Sequence, residues 1–383
     1  MNDISPPFDR VYTTHVGSLP RPESLLAVMR PESRNAEEGQ AFAGALGEAV
    51  QTIVKHQASI GLDVVSDGEM SKLDYASYVT ERLSGFEGHF TGHKAQDLRD
   101  YQGLARRLVE IGAVVPAAGG ACCRGPVAMQ DLSILARDID NLRRAVDAVS
   151  PPGAFINAAS PGVIAVFQKN EYYPSEAEYI EAVAISMRVE YEAIVEAGFL
   201  LQIDSPDLAM GRHLAFADLS DDEFLKIAER NIEALNLAVA NIPADKMRMH
   251  LCWGNYAGPH HRDIPLKRII DVVLKARPAY LLLEGANPRH EHEWNVFDDV
   301  GLPDDKVLVP GVVDSTSNYI EHPELIAQRI CRYANIVGRE RVMAGSDCGF
   351  STFRDYPTVY PEIAWAKLRS LVEGSAMATD YLW

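Results

Sequence analysis

The sequence predicts an α/β fold, a TIM (β/α)8 barrel with an insertion between its second and third strands. Three observations carry this. Eight short apolar runs end in turn-forming or polar residues, amphipathic helical stretches alternate with them, and nearly every unusual polar residue falls at the C-terminal end of a run, where a barrel builds its site.

The runs are Val11 to Ser18, Leu62 to Glu69, Ala154 to Ser160, Leu200 to Ser205, Met247 to Trp253, Tyr280 to Gly285, Val307 to Asp314 and Val342 to Cys348. Each has a strand's length and is bounded by turn residues. Between them, 175–198, 220–240 and 323–337 read as helices entered by Ser or Pro start signals. The alternation predicts a parallel sheet. The spacing breaks once, where 85 positions separate Glu69 from Ala154. Residues 73–150 are therefore read as an inserted excursion over or beside the barrel mouth, a lid or a dimer contact, since long loops in compact domains usually carry function. Within it, 77–119 is rich in Gly, His and charge, Ala121 to Ala128 reads as a strand, and 133–149 as a helix. With no internal repeat and no linker, 1–383 is read as one domain.

A formal charge of −18 argues against nucleic acid or an anionic membrane as partner, since both would repel this chain. A small molecule is the expected partner, and homo-oligomerisation is left open. The first residues lack a basic and an apolar signal region, and no stretch approaches the ~20 apolar residues of a membrane span, so the expected location is cytoplasmic. Five cysteines without an even spacing fit a reducing compartment. The vicinal Cys122 and Cys123 read as small hydrophobes.

The chemistry concentrates at three strand ends: His250 and Cys252 in Arg248-Met-His-Leu-Cys-Trp, Glu284 after Tyr280-Leu-Leu-Leu, and Cys348 in Gly345-Ser-Asp-Cys-Gly. A His-x-Cys pair shares one face of a strand, because the strand period is two. Two thiolates, an imidazole and a carboxylate suit tetrahedral zinc, and ligands scattered over the chain suggest a catalytic rather than a structural site. His15, Ser18, Asp67, Glu69, Ser160, Asp204 and Asp314 stand at other strand ends. Carboxylates there also serve as helix caps or loop anchors; facing one pocket, they would suit an ammonium group. His260, His261, His290 and His292 are read as loop or structural histidines.

In order, Thr14-His-Val-Gly-Ser18-Leu-Pro, Asp67-Gly-Glu69, Ile203-Asp204-x-Pro206, His250-Leu-Cys252, Glu284 and Ser346-Asp-Cys348-Gly resemble the catalytic barrel of cobalamin-independent methionine synthase, especially its short stand-alone relatives. The resemblance covers most of the chain. It implies His250, Cys252, Glu284 and Cys348 as zinc ligands, with Ser18, Glu69 and Asp204 at the thiol substrate; His15 is expected beside them from its strand end, and Glu69, Asp204, His250 and Cys252 are expected as the catalytic group. It also implies thiol activation, in which zinc lowers the pKa of a substrate thiol that then attacks an alkyl carbon in line. The chain departs from the pattern at Ser205, where the family has Glu, and at Phe350-Ser-Thr-Phe353, where it has basic residues, which leaves the donor open.

The expected function is a zinc-dependent alkyltransferase moving a methyl group to homocysteine, its partners a small thiol and an alkyl donor. The alternative is an epoxyalkane:coenzyme M transferase-type epoxide opening, whose sulfonate would need a cation such as Arg124 or Arg212. A water-activating zinc hydrolase is disfavoured by two thiolate ligands, and a non-catalytic barrel by an intact ligand set.

Overall fold

The computed structural model describes residues 4–29, 36–74, 76–110, 120–353 and 359–383. Among the described residues ten strands follow in chain order: β1 (Val64–Ser66), β2 (Phe86–Glu87), β3 (Cys122–Cys123), β4 (Gly153–Ala159), β5 (Lys169–Asn170), β6 (Leu200–Asp204), β7 (Met247–Leu251), β8 (Tyr280–Leu283), β9 (Val307–Val313) and β10 (Gly345–Ser346). Seven of them, β1-β4-β6-β7-β8-β9-β10, make one sheet whose neighbours are all parallel.

The expected first strand closes this sheet without becoming a regular strand. Thr13 bridges Ala344 in parallel, and the Ala344 N–H reaches Tyr12 O (2.8 Å). On its other side Thr13 O accepts from Val64 N (3.0 Å). The ladder stops there because the Asp63 carboxylate takes the Thr13 N–H (2.8 Å) and hydroxyl (2.9 Å), replacing a carbonyl partner. The expected last strand is likewise short, because its register shifts between Gly345 and Ser346.

The outer helices include Ala36–Ser59, Ser133–Val149, Glu176–Glu196, Asp221–Ala238, Leu266–Val273, Pro323–Val337 and Pro361–Leu382. Ser175 and Ser220 cap two of them by accepting from Glu178 N (3.2 Å) and Glu223 N (3.3 Å). Among the described residues no helix is long and apolar enough to cross a membrane.

Strand periodicity sorts the core into two layers. Leu201, Ile203, Met247, Met249, Leu251, Leu281 and Leu283 face the helices. The alternate positions Val64, Phe155, Tyr280, Leu282, Val307 and Val309 fill the barrel interior. The same alternation turns Gln202, Asp204, Arg248 and His250 inward. Arg248 lies over the Phe155 ring (3.9 Å) and donates to Thr14 Oγ1 (2.9 Å) and His15 O (2.7 Å). Burial lowers its pKa to about 9.

Within 73–150, residues 75 and 111–119 lie outside the described residues. β3 pairs antiparallel with β2 and parallel with β5, forming a three-stranded side sheet. From Ser133 onward the stretch is the crossover helix into β4, packed on Ala36–Ser59.

Candidate metal centre and substrate cavity

β7 turns His250 inward and Cys252 follows two positions later. Cys348 comes from beyond β10, past the register shift. One ligand atom from each of His250, Cys252 and Cys348 lies within 4.8 Å of the others, and all three residues are buried. Neither His250 ring nitrogen has a hydrogen-bond partner among the described residues. The contact with Cys348 drives the Cys252 thiol well below its ordinary pKa, and the same contact drives Cys348 well above. Two buried thiols in contact beside an imidazole without a hydrogen-bond partner form a donor set that suits a divalent cation.

Glu284 lies at the end of β8 but not within this trio. Its Oε1 accepts the Trp253 N–H (2.9 Å) and its Oε2 accepts from Asn287 Nδ2 (2.7 Å). Burial raises its carboxyl to about 8, opposed by His290 and reinforced by Cys252. Cys348 is positioned by its neighbour Asp347, whose carboxylate accepts the N–H groups of Gly285, Ala286 and Asn287 (2.8 Å each). This ties the end of β8 to the end of β10.

Asp204 ends β6. Its Oδ1 accepts from Gln202 Nε2 (2.8 Å) and its Oδ2 from Asn157 Nδ2 (3.0 Å). Glu69 sits in a tight turn at φ 56°, a left-handed conformation that a non-glycine residue adopts under constraint. Asp67 Oδ1 holds that turn by accepting Glu69 N (2.9 Å). Glu69 Oε2 is buried without a partner among the described residues. Burial raises the Glu69 carboxyl to about 7, with Lys72 opposing and Asp204 adding. Asp204 is also raised, by burial, against the pull of His250 and its two amide donors. Ser18 Oγ accepts from Ser351 N (3.3 Å).

Ser18, Glu69, Asp204, His250, Cys252 and Cys348 all line one cavity of about 760 Å³. Phe90, His93, Lys94, Arg99 and Arg106, from the stretch between β2 and β3, line it as well, with Phe167, Met210 and Leu214. This stretch is also tied to the loop after β7: Asp97 Oδ2 accepts Tyr256 OH (2.6 Å) and His260 N (3.0 Å), and Asp100 contacts His261 and Arg262.

Several expected residues fall elsewhere. Arg124 is not brought to the cavity; it belongs to the side sheet, half-exposed and paired with Glu171 (3.0 Å). Arg212 pairs with Asp221 (2.8 Å). His15 lies inside the barrel, with Nε2 on Gln57 Oε1 (2.8 Å) and its ring beside Phe155, and does not line the cavity. Burial lowers its pKa to about 3, so it is neutral. Ser160 caps the helix Pro161–Phe167, and Asp314 holds the Thr316 turn. His290 is buried between Asp263 and Glu293.

Sequence reasoning passes over Asn157, Gln202 and Lys72. Lys72 Nζ donates to the main-chain carbonyl of Asn157 (2.7 Å), the residue whose side-chain amide reaches Asp204. The inward period of β4 and β6 is the signal available for Asn157 and Gln202; Lys72, in a loop, offers none.

Comparison with known proteins places these features in context. A family described as the cobalamin-independent synthase, catalytic domain, matches residues 11–373. The methionine synthase of Saccharolobus solfataricus is 26% identical over 379 residues, covering 97% of this chain and 95% of that protein. The methionine synthase of Sulfurisphaera tokodaii is 24% identical over 375 residues, covering 97% and 93%. Among solved structures, the B12-independent methionine synthase of Shewanella sp. W3-18-1, in complex with selenomethionine, superposes with a TM-score of 0.74 at 19% identity, covering 97% of this chain and 99% of that one. The putative vitamin-B12 independent methionine synthase of Listeria monocytogenes gives 0.66 at 21% identity, covering 96% and 98%. Those two likenesses bear out the barrel fold.

Proposed function

Because the chain belongs to the family of the cobalamin-independent synthase catalytic domain, we propose that it is a zinc-dependent transferase that moves a methyl group to the sulfur of homocysteine. The observation that carries this is the convergence of His250, Cys252 and Cys348 within 4.8 Å, in the same cavity as Glu69 and Asp204. His250, Cys252 and Cys348 would hold the metal, with Glu284 as the fourth ligand once it leaves Trp253 and Asn287. When bound, zinc supplies Lewis acidity that keeps a substrate thiol deprotonated near neutral pH.

The remaining work falls to side chains of this chain. Glu69 and Asp204 receive the substrate ammonium. Each carboxyl is raised by burial, and a cation between them offsets that burial and draws both into the charged form. Asn157, Gln202 and Lys72 hold Asp204 in place before substrate arrives. Ser18 offers a hydroxyl to the substrate carboxylate. The apolar walls from Phe90, Phe167, Met210 and Leu214 exclude water from the reacting atoms and accept the body of the donor. The insertion supports its own reading as a cover, since 90–106 contributes lining residues to the outer cavity.

A second reading, epoxide opening by a sulfonate-bearing thiol, draws on Lys94, Arg99 and Arg106, the cations that line the cavity in place of Arg124. Zinc-edge X-ray absorption on the zinc-loaded protein separates the two. A rise from two sulfur neighbours to three with L-homocysteine supports the first reading. The same rise with coenzyme M alone supports the second, and no rise with either thiol overturns both.

A further inference from the structure

One cavity residue has no part in the chemistry above. His213 lies in the short helix Gly211–Leu214, and that helix is anchored beside the candidate metal centre. Met210 N donates to Cys252 O (3.2 Å), and His213 N donates to Met210 O (3.2 Å). The His213 ring is 1% exposed yet lines the cavity that holds His250 and Cys252. Its Nδ1 lies 3.0 Å from Asp263 Oδ1, at ion-pair distance but without hydrogen-bond alignment, and its Nε2 is likewise buried with no hydrogen-bond partner among the described residues. A buried ring nitrogen without a partner is unfavourable, so it marks a partner that arrives with a ligand.

Asp263 is built to orient that ring. Its other oxygen meets His260 Nδ1 (2.9 Å) and His290 Nε2 (3.1 Å), and His290 Nδ1 is held in turn by Glu293 (2.7 Å). Burial alone would raise the Asp263 carboxyl, but the imidazoles of His213, His260 and His290 around it outweigh that and hold it well below the usual carboxylate range. An ionised Asp263 only 3.0 Å away favours a proton on Nδ1 of His213. That fixes the tautomer and leaves Nε2 as the atom that exchanges a proton with the cavity.

We propose that His213, oriented by Asp263, is the catalytic acid that protonates the leaving atom of the alkyl donor; this rests on the thiol-transfer reading above. As the sulfur–carbon bond forms, the bond from that carbon to the donor heteroatom breaks and its electron pair stays on the heteroatom. Nε2–H passes its proton to that pair. His213 is left neutral and is recharged by a proton equivalent to the one the substrate thiol lost. No oxidant or reductant enters. Asp263 is a positioning residue. The ligand class follows: a donor whose leaving atom is a basic nitrogen or oxygen, not one that departs as a stable anion.

The test compares two donors on the zinc-loaded protein with L-homocysteine. 5-Methyltetrahydrofolate, an N-methyl amine, needs a proton on its leaving nitrogen, whereas methyl iodide releases iodide and needs none. His213→Gln is expected to slow transfer from the N-methyl donor by ~10²-fold, the usual worth of a positioned acid. Its rate with methyl iodide should stay within about threefold of the unaltered protein, since general-acid assistance is absent there. His213→Ala should regain N-methyl transfer on addition of imidazole, and Asp263→Asn should lower kcat and leave KM for homocysteine unchanged. Equal slowing with both donors, no slowing with either, or no turnover of the N-methyl donor by the unaltered protein overturns the assignment. Failure of methyl iodide to alkylate homocysteine on the unaltered protein overturns the thiol-transfer reading itself, and the assignment with it.

Discussion

Asp204 on β6 and His250 on β7 stand opposite each other in register across two parallel strands. Both turn inward, and the charge of each acts on the other: burial raises the Asp204 carboxyl and His250 draws it down, while burial lowers the His250 imidazole and Cys252, then Asp204, draw it up. The carboxylate proposed for the substrate and the imidazole proposed for the metal are therefore one layer of one barrel.

That layer predicts a separation of roles. Asp204→Asn and Glu69→Gln are each expected to raise KM for homocysteine by ~10–100-fold, the equivalent of the ~1.5–3 kcal/mol of a hydrogen bond to a charged group. Bound zinc should be unchanged. Steady-state kinetics with metal analysis checks this, and a loss of zinc in either variant would reassign the carboxylates to the metal.

His250, Cys252 and Cys348 should behave as a unit. Alanine at any one of them is expected to abolish stoichiometric zinc binding and to lower transfer by at least ~10²-fold, because loss of one member of a concerted set approaches the loss of all. Glu284→Gln should lose less zinc, since its carboxylate is held by Trp253 and Asn287 and lies outside the trio. Zinc titration with a chromogenic chelator ranks the four.

His15 sets an acid limit on stability. Its pKa is about 3 in the fold against 6.5 for an ordinary histidine, so below pH 6.5 the unfolded chain binds a proton that the folded chain refuses. The stability this contributes is complete above pH 6.5 and falls with pH at about 1.4 kcal/mol per unit at the steepest. Urea midpoints between about pH 4 and 7 should show a slope that His15→Asn flattens; an equal slope in the variant would assign the acid sensitivity to other groups.

Gly311 is needed by its neighbour rather than by its own backbone. A Cβ there would meet Asp347 N at 2.7 Å and Asp347 Cα at 2.6 Å, backbone atoms that cannot rotate away. Gly311→Ala is expected to destabilise the fold by ~1–3 kcal/mol, the range for overpacking. It should also weaken zinc binding, since Asp347 precedes Cys348. Thermal unfolding with and without zinc measures both effects.

The barrel is largely legible in the chain because each strand is sorted by its own alternation. Met247, Met249 and Leu251 face the helices, which places His250 inward whatever the rest of the protein does. The helix starts at Ser175 and Ser220 are legible for the same local reason, a hydroxyl three positions before the N–H it accepts. The first strand is legible as an apolar run, but not its reduction to a bridge, because Asp63 takes the Thr13 N–H from fifty positions away. For Arg124 the sequence shows a charge and nothing of its surroundings, which is why the cavity is the wrong expectation. Its place in a side sheet beside Glu171 depends on β5, beyond the third strand.

The sequence by itself determined the fold class, the family resemblance and which residues lie at strand ends, since periodicity and caps are properties of adjacent residues. Only the tertiary structure decided which strand ends meet. It brought His250, Cys252 and Cys348 together, left Glu284 on Trp253 and Asn287, buried His15 beside Gln57, and set His213 against Asp263. Those distances follow from closing the barrel. Closure is a global balance of packing that no local pattern encodes.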